Sequence, residues 1–342
     1  MYLLDIVEFE VTTQCNFRCI HCYCDAGEKD NEELSFEEIK KLILQVKELK
    51  IKELDLVGGE PFMHPNILDI ISFAHNIGQK VIINTNGSLI TNDLAKSLKK
   101  ISPNLIIGVS LEGPDSETND FVRGKGNFER AVKGIEILLN YGFPVTILNI
   151  INKRNWMKFE ELVIFARNIG VRNIYVDRFI SVGRGEIFAQ YLDMEDKEWI
   201  EAIKYVREVI KKYKREMNFF VEESISGEIC SAGISHVSIL ANGYVVPCGH
   251  LRFDSKYYLG NIREKSLGEI LNFTKSKEFF KEVNSCKNCN LNKLCNGGCK
   301  AYQILKNKEK DIPLCVINKE KGNILFLENP YYIEEKTAKS FG

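Results

Sequence analysis

The chain carries eleven cysteines, and their spacing is the first feature with chemical content. Three stand in one short loop, Cys15-Asn16-Phe17-Arg18-Cys19-Ile20-His21-Cys22, in a C-x3-C-x2-C arrangement. Three thiolates are one fewer than a four-iron four-sulfur cluster needs. A cluster held this way keeps one iron open to a small molecule, as catalytic metals keep a free coordination position. A zinc ion is the alternative occupant of such a loop. Seven more cysteines, Cys230, Cys248, Cys286, Cys289, Cys295, Cys299 and Cys315, follow as C-x12-G-x4-C with Gly243 at the glycine place, then C-x2-C-x5-C-x3-C, then a last cysteine. In a reducing compartment, thiols in this number serve as metal ligands rather than disulfides. Cys24 falls outside both patterns and reads as a bystander.

Such loops need a scaffold, and the sequence shows one. Six apolar runs, Ile6–Val11, Glu53–Val57, Lys80–Asn84, Leu105–Ser110, Val145–Ile150 and Asn173–Val176, recur between Ile6 and Val176, each followed by a helix-like segment. Apolar strands alternating with helices predict a parallel sheet buried on both faces. Ser35 before Phe36-Glu37-Glu38 is a capping box, and Ile39, Leu42, Ile43 and Val46 give the helix behind it one apolar face. Six βα units predict a partial barrel, with an open flattened sheet as the competing arrangement. The Cys15–Cys22 loop then lies on the C-terminal face of the strands, where sites assemble. From Met194 to about Glu216 a charged segment with Trp199, Ile203, Val206 and Ile210 on one face predicts a bridging helix. Beyond it, Val237–Leu240 and Tyr244–Val246 flank Ala241-Asn242-Gly243 and predict a hairpin.

These motifs resemble the radical SAM (S-adenosylmethionine) superfamily, whose hallmark is C-x3-C-x-φ-C, here with His21 at the φ position. Gly58-Gly59-Glu60-Pro61 after the second strand is similar to the element that binds the SAM amino group. Thr85 and Asn86 end the third strand. Ser110-Leu111-Glu112-Gly113 resembles the Ser-x-Asp-Gly element near the ribose, with Glu112 in place of Asp, and Arg123-Gly124 resembles the arginine that meets the SAM carboxylate. The resemblance implies that Cys15, Cys19 and Cys22 ligate a cluster whose fourth iron chelates SAM. The seven later cysteines match the SPASM domain of this superfamily. By that resemblance Cys286, Cys289, Cys295 and Cys315 ligate one auxiliary cluster. Cys230, Cys248 and Cys299 hold another that is one thiolate short, its last iron open or met by Glu222, Glu223 or Ser224.

The expected fold is therefore α/β: a partial (β/α)6 TIM-type barrel over residues 1–192, a bridging helix and linker over 193–228, a small Cys-rich SPASM domain with a β-hairpin and short helices over 229–320, and a tail over 321–342. The resemblance implies reductive cleavage of SAM to a 5′-deoxyadenosyl radical that takes a hydrogen from the substrate, with ferredoxin or flavodoxin as reducing partner. Maturation of a ribosomally made peptide or protein is the expected use, and small-molecule chemistry such as tetrapyrrole modification is the alternative. A first strand beginning near Ile6 leaves no room for the N-terminal peptide-recognition domain of many peptide-modifying relatives, which weakens a leader-peptide substrate. Asp177 and Arg178, at the end of the sixth strand, are the candidate substrate contacts, with the basic turn Gly183-Arg184-Gly185 after them. A zinc-binding or electron-transfer protein would use the same cysteines without needing Gly58-Gly59-Glu60-Pro61. Forty-six basic against forty-seven acidic side chains leave a net charge of -1, so no global field draws the chain to nucleic acid or an anionic membrane. With neither a signal-peptide pattern at Met1–Val11 nor an apolar run of membrane-spanning length, the expected location is cytoplasmic.

Overall fold

The computed structural model describes residues 4–226, 230–273, 295 and 297–307. All six expected strands form: β1 Ile6–Thr12, β2 Glu53–Gly58, β3 Lys80–Thr85, β4 Ile106–Ser110, β5 Val145–Ile151 and β6 Asn173–Arg178. They lie side by side in chain order and parallel, with Ile6 opposite Glu53 and Ile147 opposite Ile174. A seventh strand, β7 Asn218–Val221, continues the parallel series on β6 with Asn218 opposite Asn173. The hairpin forms as β8 His236–Ile239 and β9 Tyr244–Val246, followed by a short β10 Gly260–Asn261. It does not stand apart from the barrel. β8 runs parallel to β1, with Ser238 opposite Glu8, and β9 and β10 add on antiparallel. The sheet order is β10-β9-β8-β1-β2-β3-β4-β5-β6-β7, so among the described residues β7 and β10 are its edges and the barrel is open.

The helices pack on one face of this sheet. The first, Phe36–Glu48, starts at the capping box: Ser35 Oγ accepts from the Glu38 backbone at 3.4 Å and the Glu38 carboxylate accepts from Ser35 N at 2.7 Å. It buries Ile39, Leu42, Ile43 and Val46, worth about 2 kcal/mol each in apolar surface removed from water. Val7, Phe9, Leu54, Leu56, Ile83, Ile107, Val109, Ile147, Ile174 and Val176 face those helices and are almost fully buried. The alternate positions point the other way. Glu8, Asp55, Asn84, Gly108, Thr146, Tyr175 and Asp177 line a cavity of about 1590 Å³ on the concave side. Ile6, Val57, Ile82, Ile106 and Leu148 line it too, and Ile6, Asp55, Val57 and Thr146 are buried, so the second face is covered as expected but encloses a chamber of mixed polarity rather than a solid core. The bridging helix spans Asp196–Tyr213 and buries Trp199, Ile203, Val206 and Ile210.

Candidate functional site

The loop after β1 opens onto the chamber at the C-terminal end of the strands, and Cys15, Cys19 and Cys22 all line the chamber wall. Its backbone is tied on both sides: Cys15 N donates to Gly27 O at 2.9 Å, Ile20 N to Val122 O at 2.9 Å and Arg184 N to Cys22 O at 3.0 Å. Each sulfur also meets a donor. Phe17 N points at Cys15 Sγ (3.3 Å), Arg123 Nη1 at Cys19 Sγ (3.9 Å) and Ala26 N at Cys22 Sγ (3.3 Å). Donors aimed at sulfur stabilise thiolate, the ligand form. The Cys22 thiol is lowered to about 5 by hydrogen bonds from Cys24 and the Ala26 amide, whereas burial pushes Cys19 up to about 12 and raises Cys15. Three thiols of one loop on the chamber wall, with a donor on each, are a donor set of the kind an iron–sulfur cluster takes.

Gly58 and Gly59 exist for a close approach of backbone to backbone. Gly58 has φ +132°, and a Cβ there would lie 2.3 Å from Thr12 O. A Cβ on Gly59 would lie 2.1 Å from Gln14 O. The contact lets Gly59 N donate to Thr12 O and Glu60 N to Gln14 O, both at 2.8 Å, so β2 locks the chain immediately before Cys15. Glu60 is fully buried and accepts from Thr85 Oγ1 (2.7 Å), Asn86 N (2.7 Å) and Phe62 N (3.1 Å). Burial raises its pKa, opposed by those three donors. Gly58, Gly59, Thr85 and Asn86 face the chamber, while the Glu60 side chain turns to the ends of β2 and β3. Pro61 is buried and opens the one-turn helix Pro61–Met63. Asn86 reaches back into the cysteine loop, donating to Asn16 Oδ1 at 2.9 Å.

Ser110 faces the chamber at the end of β4. Glu112 is completely buried, and its Oε1 accepts from Arg123 Nε (3.0 Å) and Nη2 (2.6 Å) and lies 3.2 Å from His21 Nε2. Despite complete burial, the cationic Arg123 beside it and His21 lower its carboxyl to about 2. Arg123 itself faces the chamber.

On the opposite wall, Asp177 accepts from Arg178 N (2.6 Å) and Ser224 Oγ (3.1 Å), and burial next to Glu222 pushes its carboxyl up to about 8. Arg178 lies between the rings of Trp199 (4.2 Å) and Tyr302 (3.7 Å), so its guanidinium joins the barrel to the C-terminal segment. The basic turn lies on the chamber wall and also contacts the cysteine loop. Arg184 donates to Cys19 O (3.2 Å) and Ala26 O (2.7 Å) and pairs with Asp25 (2.7 Å), clamping the cysteine loop. Cys230, Cys248 and Cys299 come together on the same chamber, with Glu222, Glu223 and Ser224 beside them. A hydrogen bond from Cys299 lowers Cys230 to about 7, while burial raises Cys248. Cys295 is buried, and Cys286, Cys289 and Cys315 lie outside the described residues. Two residues gain importance over the sequence reading. Cys24 Sγ sits 3.6 Å from Cys22 Sγ, and His250 Nδ1 sits 3.5 Å from Cys248 Sγ with its ring against Tyr23. The C-x-C and C-x-H spacings were the visible signals of both.

An open parallel barrel carries a three-cysteine loop over its C-terminal face and a second cysteine group on the same chamber. The sequence matches the radical SAM superfamily over residues 9–166 and the SPASM iron-sulfur cluster-binding domain over residues 230–299. Residues 9–166 thus carry a radical SAM domain and residues 230–299 a SPASM domain. It is 29% identical over 266 residues to the antilisterial bacteriocin subtilosin biosynthesis protein AlbA of Bacillus subtilis, covering 77% of this chain and 58% of that one. It is 28% identical to the AdoMet-dependent heme synthase of Methanosarcina barkeri, covering 91% of this chain and 96% of that one. Among solved structures it is similar to Streptococcus suis SuiB bound to S-adenosylmethionine, with a TM-score of 0.75, 20% identity, and coverage of 90% of this chain and 76% of that one.

Proposed function

We propose that this protein is a radical SAM maturase acting on a ribosomally made peptide or protein. Cys15, Cys19 and Cys22 would hold the SAM-binding cluster. Cys230, Cys248 and Cys299 would hold one auxiliary cluster, and Cys286, Cys289, Cys295 and Cys315 another. When bound, cluster and SAM supply reductive cleavage to methionine and a 5′-deoxyadenosyl radical that abstracts a substrate hydrogen. The protein's part is placement. Gly58, Gly59, Thr85, Asn86, Ser110 and Arg123 form the wall against which SAM would lie beside the loop. Arg184 and the β2 contact hold that loop still, and the buried strands behind exclude water. The working division is a barrel over 1–192, a linker over 193–228, a SPASM domain over 229–320 and a tail over 321–342, with a ferredoxin or flavodoxin as electron donor in the cytoplasm. Among the described residues no helix is long and apolar enough to cross a membrane.

The observation that carries the peptide reading is the chamber between the two thiol groups. Its wall carries Glu8, Asp55, Asp177, Glu222 and Glu223 beside cations: Arg123 pairs with Glu112, Arg184 with Asp25 and Lys80 with Glu53, Arg178 lies between two aromatic rings, and Arg172, Arg207, Lys211 and Lys214 line it as well. Burial raises the carboxyls of Asp55, Asp177 and Glu223, and Asp55 accepts from Asn84 Nδ2 while Asp177 accepts from Arg178 N and Ser224 Oγ. The donors and acceptors of a peptide backbone suit such a mixed polar wall. The heme synthase likeness keeps a tetrapyrrole substrate as the second reading. Anaerobic incubation with SAM, dithionite and either short peptides encoded beside the gene or an iron tetracarboxylate porphyrin separates them. A peptide that loses hydrogen mass supports the proposal, and turnover of the porphyrin alone overturns it.

A further inference from the structure

Arg123 has three partners: Glu112, Cys19, and His21, whose Nε2 lies 3.3 Å from Arg123 Nη2. Nε and Nη2 donate to one oxygen of Glu112, at 3.0 and 2.6 Å, and Nη1 points at Cys19 Sγ at 3.9 Å. A guanidinium is a rigid planar fork, so fixing one edge aims the other. Glu112 is fixed in turn at every polar atom: its backbone N donates to Asn119 Oδ1 (3.0 Å), its carbonyl accepts from Asn155 Nδ2 (2.9 Å), and its second carboxylate oxygen accepts from Ile150 N (3.0 Å). Glu112 and Arg123 are 0% and 8% exposed, so little water screens the guanidinium from the sulfur.

We propose that Glu112 is a positioning residue that holds the Arg123 guanidinium against the Cys19 sulfur and thereby raises the reduction potential of the cluster on Cys15, Cys19 and Cys22. The inference rests on the cluster reading of that loop. A cluster gains one negative charge when it takes up an electron, and a nearby cation with an N–H donor on sulfur favours that state. Glu112 stands where the resembling element more often has Asp. Its longer side chain spans from the end of β4 to Arg123 at the end of the helix Ser116–Arg123.

The test is a dithionite-poised redox titration of full-length, anaerobically reconstituted protein, following the electron paramagnetic resonance component of the reduced cluster that shifts when SAM is added. Two effects of Glu112→Gln have opposite signs. Loss of a negative charge alone moves the potential up, whereas release of Arg123 from the sulfur moves it down. The expected result is a more negative potential in Glu112→Gln, a more negative one in Arg123→Gln, and no further fall in the double variant. An unchanged or raised potential in Glu112→Gln overturns the proposal. Should Glu112→Gln fail to retain iron, wild-type protein grown with nitrogen-15 arginine supplies a second measurement. A nitrogen coupling to the reduced cluster is expected, and its absence overturns the proposal. Wild-type protein that binds no iron at the loop would instead sink the cluster reading itself.

Discussion

Replacing Gly59 by Ala attacks the contact that places the first cysteine. The new Cβ would stand 2.1 Å from Gln14 O, 2.5 Å from Gln14 C and 2.7 Å from Thr13 O, all backbone atoms that cannot rotate aside. Ordinary carbon contacts begin at about 3.4 Å, so the two segments must part by about 1.3 Å. The bonds Gly59 N–Thr12 O and Glu60 N–Gln14 O, now 2.8 Å, then stretch beyond hydrogen-bond range. Losing both costs about 2 kcal/mol and the residual crowding about 1–3 kcal/mol, offset by roughly 0.5 kcal/mol of reduced unfolded-state entropy. The net is about 3 kcal/mol, or a fall of about 5–10 °C in Tm. Because Cys15 follows Gln14 directly, iron retention falls with it. Anaerobic thermal unfolding and iron analysis, beside Gly142→Ala as control, measure both. Gly142 has φ +70° and only Lys99 Nζ within reach at 3.8 Å, so backbone strain of about 1 kcal/mol is its expected cost. A Gly59→Ala protein that melts with the control and keeps its iron would refute the reasoning.

Two further outcomes follow from the geometry. Arg184→Ala removes the donors to Cys19 O and Ala26 O and the pair with Asp25; iron should leave several-fold faster under a chelator, and an unaltered rate contradicts the clamp. For Asp177, burial, then the charge of Glu222, lifts the carboxyl from its ordinary 3.8 to about 8. Between those values the unfolded chain releases a proton that the folded chain keeps. Stability therefore falls as pH rises from about 4 to about 8, by an amount on the order of 5 kcal/mol at most, and levels above that. Asp177→Asn should flatten urea-unfolding stability between pH 5 and pH 8, and an unaltered slope would contradict the burial argument.

The parts of this molecule legible in the sequence are those encoded by local spacing. C-x3-C-x2-C, the glycine pair, the apolar runs and the Ser35–Glu38 capping box all resolve within a few residues, and each lies where its pattern placed it. Strand β7 was missed because Asn218–Val221 is only four residues long, too short for periodicity to register behind a charged helix. The pairing of β8 with β1 joins residues more than two hundred positions apart, and no local signal carries it. Long-range contacts also reassigned individual side chains. Arg184 reads as a free basic turn until the fold brings it to Cys19, 165 residues away. The contact between Glu112 and Arg123, delivered by the helix after β4, likewise has no local signal. The polar side chains at alternate strand positions were visible throughout, but only the curvature of the sheet shows that Glu8, Asp55 and Asp177 share one chamber.

The central claim is that Cys15, Cys19 and Cys22 carry the SAM-cleaving cluster while the C-terminal cysteines carry others. Iron content and 5′-deoxyadenosine formation, measured under dithionite on wild-type protein and on the Cys15/Cys19/Cys22 triple Ala variant, test it most directly. The account predicts brown wild-type protein with about eight to twelve irons, a loss of about four of them in the variant, and no 5′-deoxyadenosine from it. A triple variant that still forms 5′-deoxyadenosine, or a wild-type protein that folds colourless with zinc alone, would contradict it.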